Sequence, residues 1–394
     1  MPSEAQLEVL AATTGELLQR GYLKMQKAPN LMRPLHLAVF EPITAISFLR
    51  GRSNPFAPTV LPGLYPRLIR GVEGSTRELY RFFFQGHPMH RHRLAQLLGD
   101  ELAARLAEVG LAEADGSSIE FLFRLVPYGN TVFLTDRDQG ARRTTVRYVY
   151  AGGDSVLLAE FVSRNLLDRR YSRALDLCAG TAFQGHNVRD HADRVLAAEF
   201  NPRAVEFARA TARMNGVDSG FTIVQSDLWS GVEGDFDLVV SNPPYYPVPP
   251  EKRDEKILDV FGGDRYGMEK PLEIYRGLDQ HLRQGGRAAI LAASPIVDGE
   301  NLLEGELLPL ARDMGLATRL HPWKRTNIKL DMEYQMREGI DYLMLYVIEA
   351  ERTGHGQVQV LPMSPAGMVQ AINQRLESAL YRALHGGRTP SSAD

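Results

Sequence analysis

The feature that most constrains the fold of this chain is a regular alternation of apolar and helical segments between residues 154 and 350. Seven apolar segments are candidate strands: Ala174–Leu177, Arg194–Phe200, Thr222–Gln225, Leu238–Ser241, Arg287–Ala293, Ala317–His321 and Tyr342–Glu349. Helices are predicted between them at Ser155–Leu166, Arg203–Met214, Leu272–Leu282 and Leu302–Met314. This alternation is typical of a doubly wound parallel sheet. The sequence therefore predicts an α/β, Rossmann-like domain with seven strands.

Acidic residues lie at the ends of three successive predicted strands. Asp176 precedes a turn of small residues that contains Gly180, Glu199 ends the second strand, and Asp227 follows the third. The carboxyl ends of parallel strands are where open α/β sheets bind ligands. Each acid alone is equally typical of a capping carboxylate, but three in this order indicate a ligand site.

The turn after the first strand argues against a nucleotide phosphate. A phosphate-binding turn carries Gly-x-Gly-x-x-Gly, whereas this turn has Asp176 and only Gly180 and Gly185. A carboxylate repels phosphate but attracts a ligand with an ammonium and a sulfonium group. A carboxylate such as Glu199 can accept hydrogen bonds from both hydroxyls of a ribose. The pattern predicts S-adenosylmethionine (SAM) as the cofactor.

The sharpest motif is Asn242-Pro243-Pro244-Tyr245, which follows the fourth predicted strand. Prolines fix the backbone and lack N–H donors, so the loop presents acceptors. The side-chain oxygen of Asn242 and the carbonyl of Pro243 can hold the two hydrogens of an NH2 group, while Tyr245 offers a flat face. Amide, guanidine and exocyclic amine nitrogens are poor nucleophiles, and such acceptors polarise their N–H bonds. The motif predicts methyl transfer to a planar nitrogen; the alternative is a proline-stiffened strand exit.

Residues 154–350 resemble the SAM-dependent N-methyltransferases of the Asn-Pro-Pro-Tyr type, and especially the HemK-like protein glutamine methyltransferases. Two further segments carry the resemblance. One is Gly262-Gly263-Asp264-Arg265-Tyr266-Gly267, followed by Leu272, Tyr275, Arg276 and Leu278. The other is Gly152-Gly153-Asp154-Ser155-Val156-Leu157-Leu158, which in that family lines the cofactor pocket.

The resemblance implies a cofactor site and an acceptor site, with no metal. The cofactor site is expected to contain Asp154, Asp176, Cys178, Gly180, Glu199, Asn201, Asp227 and Leu228. The catalytic residues are expected to be Asn242, Pro243 and Tyr245, and the acceptor is expected to contact Pro244 and Tyr246. Cys178 and Ala182 depart from the family, which usually has glycines there. This departure predicts a differently shaped methionine end of the pocket.

Residues 1–150 are predicted to form a separate, mainly helical domain, and residues 151–394 the methyltransferase domain with a C-terminal helix, Pro365–His385. The N-terminal pattern comprises helical segments Leu79–Phe84, His92–Leu98 and Glu101–Glu108 and alternating segments Ile119–Val126 and Thr131–Leu134. This order is typical of a winged helix-turn-helix module. The predicted role of this domain is substrate recognition or a lid. Because the helix Glu101–Glu108 is acidic, covering the active site or supporting dimerisation is favoured over recognition of nucleic acid or protein.

Composition excludes several other classes of protein. The net charge of −3 over 394 residues gives no general attraction for nucleic acid. A single cysteine, Cys178, allows neither an internal disulfide nor a Cys-based zinc site and fits a reducing, cytoplasmic setting. No apolar stretch is long enough to cross a membrane as a helix, so no membrane partner is expected. The oligomeric state is not predicted.

Three acceptors remain for the predicted reaction. The leading hypothesis is a glutamine amide of a protein. The second is a small molecule, such as an amino acid or a natural-product intermediate, with the N-terminal region as a lid. The third is an exocyclic amine of an RNA base, with the winged module as the grip.

Overall fold

A computed structural model describes residues 2–26, 74–137, 149–217, 219–253, 261–326 and 332–363 of the chain. The predicted C-terminal helix lies outside these described residues. Among the helices that the structure describes, none is both long and apolar enough to span a membrane.

The described helices are α1 (Glu4–Gln19), α2 (Gly74–Phe83), α3 (Arg91–Leu98), α4 (Asp100–Glu108), α5 (Gly153–Asn165), α6 (Phe183–Val188), α7 (Pro202–Met214), α8 (Glu269–His281), α9 (Leu302–Met314) and α10 (Met332–Arg337). Short 3-10 helices occur at Tyr22–Gln26, Arg189–His191 and Pro250–Lys252. The predicted helices of residues 154–350 are confirmed as α5, α7, α8 and α9. The short helix α6 was not predicted.

The described strands are β1 (Met89–His90), β2 (Ala112–Asp115), β3 (Ser118–Phe121), β4 (Phe123–Tyr128), β5 (Thr131–Asp136), β6 (Tyr171–Leu177), β7 (Ala192–Glu199), β8 (Phe221–Gln225), β9 (Phe236–Ser241), β10 (Leu282–Val297), β11 (Glu300–Asn301), β12 (Leu316–Thr326), β13 (Ile340–Arg352) and β14 (Gln357–Val360). The seven predicted strands are confirmed as β6 to β10, β12 and β13, most of them longer than predicted.

The main sheet has the order β14-β12-β13-β10-β9-β6-β7-β8, with the short β11 paired to β10. Strands β10, β9, β6, β7 and β8 run parallel, which confirms the Rossmann-like α/β fold. Two details of the prediction are wrong: the sheet has nine strands, and β13 runs antiparallel to both of its neighbours. A strand that is apolar on both faces carries no signal of its direction in the sequence.

The N-terminal part contains a three-stranded sheet with the order β1-β3-β2, packed with α2, α3 and α4. The predicted single strand Ile119–Val126 is wrong, because the chain breaks at Leu122 into β3 and β4, which belong to different sheets. Every second residue from Ile119 to Leu125 is apolar, so the period-two pattern continues across the break at Leu122. The three helical segments predicted there are confirmed. The division into two domains at residue 150 stays a prediction.

The hairpin of β4 and β5 is bonded to helix α7. The Asn215 amide donates to the carbonyl of Val132 at 2.8 Å and accepts from its N–H at 2.9 Å. Thr211 Oγ1 accepts from the N–H of Leu134 at 3.2 Å, and Arg203 forms a paired contact with Asp136. Side chains of α7 thus replace a neighbouring strand for β5.

Candidate active site

A cavity of about 500 Å³ lies at the carboxyl ends of β6, β7, β8 and β9. It is lined by every residue predicted for the site: Asp154, Asp176, Cys178, Gly180, Glu199, Asn201, Asp227, Leu228, Asn242, Pro243, Pro244, Tyr245 and Tyr246. These residues come from segments far apart in the chain, and the parallel sheet brings them to one edge. Their individual roles stay predictions.

The turn after β6 is built from left-handed backbone conformations. Cys178 and Ala182 both have φ of 59°, and Gly180 between them has 56°. A residue with a Cβ loses about 1–2 kcal/mol in this region, so two such residues in one turn store strain beside the cavity. Both stand where the resemblance leads one to expect glycines. The turn keeps its curled shape without them.

Glu199 is held by the backbone of two turns. Its Oε2 accepts from the N–H of Gly180 at 2.7 Å, and its Oε1 accepts from the N–H of Asn201 at 2.7 Å. The Asn201 side chain in turn caps α7 by accepting from the N–H of Arg203 at 3.0 Å. The two backbone N–H groups therefore fix the position of the Glu199 carboxylate in the cavity wall.

Asp176 lies buried behind the same turn. Its Oδ2 accepts from the N–H of Gly185 at 2.7 Å, while its Oδ1 has no hydrogen-bond partner among the described residues. Burial raises the pKa of the Asp176 carboxyl well above its usual range, and the nearby charge of Glu199 raises it further. One oxygen therefore supports the turn, and the other is buried without a hydrogen-bond partner among the described residues of the cavity wall.

The acceptor loop follows β9. The Asn242 Nδ2 donates to Ser155 Oγ at 3.2 Å, and the Asn242 Oδ1 is buried without a hydrogen-bond partner in the part of the chain that is described. Leaving a buried acceptor unpaired costs about 1–3 kcal/mol, so an unpaired oxygen in a cavity indicates a place for a donor from outside the protein.

Tyr245 and Tyr246 form the aromatic wall beside this loop. The Tyr245 hydroxyl donates to Asp154 Oδ2 at 3.3 Å, and the two rings lie 5.4 Å apart at 32°. Burial raises the pKa of the Tyr245 hydroxyl well above its usual range, and the charge of Asp154 adds to this. Tyr245 therefore stays protonated and acts as a hydrogen-bond donor, not as a base.

Several residues that line the cavity were not predicted individually, although Ser155 belongs to the segment that the resemblance places at the cofactor pocket: Val149, Tyr150, Ser155, Ala179, Thr181, Phe183, Gln184, Phe200, Ala204, Ser226 and Lys270. Tyr150 and Phe200 are 40% and 48% exposed, unusually high for large aromatic side chains. Lys270 is the one lysine or arginine of the described cavity lining. Ser155 and Phe200 directly follow Asp154 and Glu199, which the sequence analysis did predict. Their position next to predicted site residues was the signal that could have identified them. Nothing in the sequence pointed to Lys270.

Comparison with known proteins points to one enzyme class. The chain matches the family described as Methyltransferase small domain over residues 152–256. It is 30% identical over 169 residues to a Methanocaldococcus jannaschii protein named as a protein N5-glutamine methyltransferase, and the match covers 42% of this chain and 82% of that protein.

Two other relatives differ in the substrates that their names give. A release factor glutamine methyltransferase of Mycolicibacterium smegmatis is 34% identical over 123 residues, 29% of this chain and 44% of that protein. The ribosomal RNA small subunit methyltransferase C of Actinobacillus pleuropneumoniae is 34% identical over 97 residues, 24% of this chain and 28% of that protein. The chain thus spans less than half the length of these two relatives.

Proposed function

This chain belongs to the SAM-dependent methyltransferases with an Asn-Pro-Pro-Tyr loop, and on that premise we propose that it methylates the side-chain amide nitrogen of a glutamine in a protein. The observation that carries the proposal is the buried Oδ1 of Asn242, which lacks a hydrogen-bond partner in the described part of the chain. A primary amide brings two N–H donors and is planar, as this loop requires.

The residues at the opposite end of the cavity fit the cofactor. Asp176 Oδ1 and Thr181 Oγ1 are buried without partners among the described residues, and Glu199 is held at the cavity by two backbone N–H groups. Glu199 would accept from the ribose hydroxyls, Asp176 would lie at the methionine end, and Asp227 and Leu228 would line the adenine. When bound, SAM supplies an electrophilic methyl group on a sulfonium.

The chain's own residues make the amide nitrogen a better nucleophile. Asn242 Oδ1 and the Pro243 carbonyl accept hydrogen bonds from the two N–H groups of the substrate amide. These bonds increase the electron density on the amide nitrogen and fix its orientation. Tyr245 supplies a neutral face beside the amide plane. The nitrogen loses one proton after it has been methylated, and this proton passes to water, so no strong base is needed in the loop.

The names of the relatives support a protein acceptor. The Methanocaldococcus jannaschii protein, 82% of which this chain covers, is named as a protein N5-glutamine methyltransferase. The Mycolicibacterium smegmatis protein is named as a release factor glutamine methyltransferase. The third is named for ribosomal RNA, which keeps an exocyclic amine as the competing substrate. The exposed acids Asp100, Glu101 and Glu108 of α4 oppose that alternative, because they repel a phosphate backbone.

A labelling experiment tests the proposal. The purified chain is incubated with SAM carrying a tritiated methyl group and, separately, with a bacterial release factor, deproteinised ribosomal RNA and free glutamine. We expect label in the release factor, with the added methyl mapped to a glutamine by mass spectrometry of peptides. Label confined to the RNA or to the free amino acid would overturn the protein assignment and leave the methyltransferase class untouched.

A further inference from the structure

We propose that Asp154 and Ser155, in the first turn of α5, position the acceptor loop, with Ser155 holding the side-chain amide of Asn242 in place. This inference rests on the proposed function, because it assigns a task to residues that act through Asn242 and Tyr245. Sequence reasoning placed Asp154 in the cofactor pocket and did not single out Ser155.

One hydrogen bond holds the side-chain amide of Asn242 against α5. Ser155 Oγ accepts from Nδ2 at 3.2 Å, and Oδ1 is buried without a hydrogen-bond partner among the described residues. Asn242 and Ser155 both line the cavity. Ser155 is itself buried, and its carbonyl accepts from the Gln184 side chain at 2.9 Å, so it is a fixed reference point.

Asp154 holds the aromatic part of the loop in the same way. Its Oδ2 accepts from the Tyr245 hydroxyl at 3.3 Å, while its Oδ1 accepts from the N–H of Ser155 at 2.9 Å. One carboxylate therefore connects the start of α5 to the residue on which the acceptor stacks. The two contacts act on opposite ends of the same four-residue loop, so a shift of this helical turn would displace both.

The glycine before this turn leaves room for the carboxylate. A Cβ added to Gly152 would lie 2.6 Å from Asp154 Oδ1, closer than real Cβ contacts, and 3.0 Å from the Tyr150 ring, which is a tight contact. A Cβ added to Gly153, the next residue, would meet nothing within 4 Å. Gly153 does not line the cavity. These adjacent glycines provide a perturbation of Asp154 that removes no polar group, together with its matched control.

The main experiment is a double-mutant cycle with the release factor as the methyl acceptor. Ser155→Ala is expected to lower kcat about 10-fold, the effect of one lost hydrogen bond, while the calorimetric Kd for S-adenosylhomocysteine changes less than about twofold. Ser155→Thr keeps the hydroxyl and is expected to restore kcat to within about threefold of the parent. In an Asn242→Ala background, Ser155→Ala should cause no further loss, because its target is gone.

If Ser155→Ala lowered kcat by the same factor in the Asn242→Ala background as in the parent, Ser155 would have an independent structural role, and the inference would be overturned. An unchanged kcat for Ser155→Ala beside an inactive Asn242→Ala would also overturn it, and in that case the proposed function would stand. A normal kcat for Asn242→Ala would instead overturn the proposed function itself.

The glycine pair gives the second measurement. Gly152→Ala is expected to lower kcat about 3- to 10-fold, since a displaced carboxylate weakens one hydrogen bond, and Gly153→Ala is expected to stay within about twofold of the parent. Thermal unfolding of both variants serves as the folding control. Equal kcat values for the two variants would remove Asp154 from the positioning of the loop.

Discussion

The two ends of the cavity are built from different kinds of hydrogen bond. At the cofactor end, Glu199 and Asp176 accept from backbone N–H groups of neighbouring turns. At the acceptor end, Asn242 and Tyr245 contact side chains of α5 across 87 and 91 residues of sequence. The cofactor end is thus stabilised locally, whereas the acceptor end depends on the packing of distant elements.

At the two ends, Glu199 and Asn242 also differ in whether their side-chain oxygens are paired before a ligand binds. A carboxylate held by two backbone N–H groups keeps its place whether or not a ligand is present. The acceptor end leaves an oxygen of Asn242 buried and unpaired among the described residues, which costs about 1–3 kcal/mol of stability. That cost is typical of a site prepared for a substrate.

Replacing Asn242 should separate the two ends most strongly. Asn242→Ala is expected to lower kcat about 100- to 1,000-fold, the effect of removing one polarising group from a preorganised site. The calorimetric Kd for SAM should change less than about twofold, because the cofactor end does not depend on this side chain. A parent-like rate with weakened SAM binding would reverse the assignment of the two ends.

Replacing Glu199 should have the opposite effect. Glu199→Gln is expected to weaken SAM binding about 10- to 100-fold, as for a lost hydrogen bond to a charged group, with kcat at saturating SAM within a few-fold of the parent. Glu206→Gln on α7 is the matched control, since Glu206 lies outside the cavity and pairs with Arg209 at 2.9 Å. Similar Kd values for both variants would remove Glu199 from cofactor binding.

The smallest predicted effect concerns the support beneath the cofactor end. His186 in α6 is buried against Phe133 and Phe221, and burial lowers the pKa of its imidazole to about 3. Unfolded histidine binds its proton near pH 6.5, so the folded state binds fewer protons between these values. The free energy of unfolding therefore decreases as the pH is lowered below about 6.5, and this residue contributes up to about 1.4 kcal/mol of the decrease per pH unit.

Urea unfolding at pH 5 and pH 8 measures this contribution. His186→Phe should lose less stability between pH 8 and pH 5 than the parent protein does. His355→Gln replaces an exposed histidine and should leave the difference unchanged. An equal pH dependence in the parent and the His186→Phe variant would show that the imidazole is not kept neutral by burial.

Local sequence signals were sufficient to predict which residues meet at the proposed cofactor end of the cavity. An apolar strand that runs into Asp176 or Glu199 is visible within a few residues, and the parallel sheet then places these ends together. The Asn-Pro-Pro-Tyr loop was equally visible, because two prolines after a strand restrict the backbone strongly. For such features the sequence also determines the position in the fold, since strand ends converge at one edge.

The supports of the acceptor end could not be predicted in this way. Ser155 follows an aspartate at a helix start, where serine is commonly a cap, and its contact with Asn242 exists only after α5 packs beside β9. Lys270 reaches the cavity from the start of α8, which no motif predicts. The prediction of one strand across Leu122 failed for a related reason, because the same period-two pattern continues from a strand of one sheet into a strand of another.

Helix α7 connects the cavity with the core of the N-terminal part. It starts at the cavity with Asn201, and its outer flank, including Phe207 and Met214, shares one core with Val9 and Leu10 of α1. Expression of the chain from residue 151 onward would expose this apolar face of α7 to water and favour aggregation of the shortened protein. The described N-terminal residues therefore cover an apolar surface of the methyltransferase part, in addition to any part in choosing the acceptor.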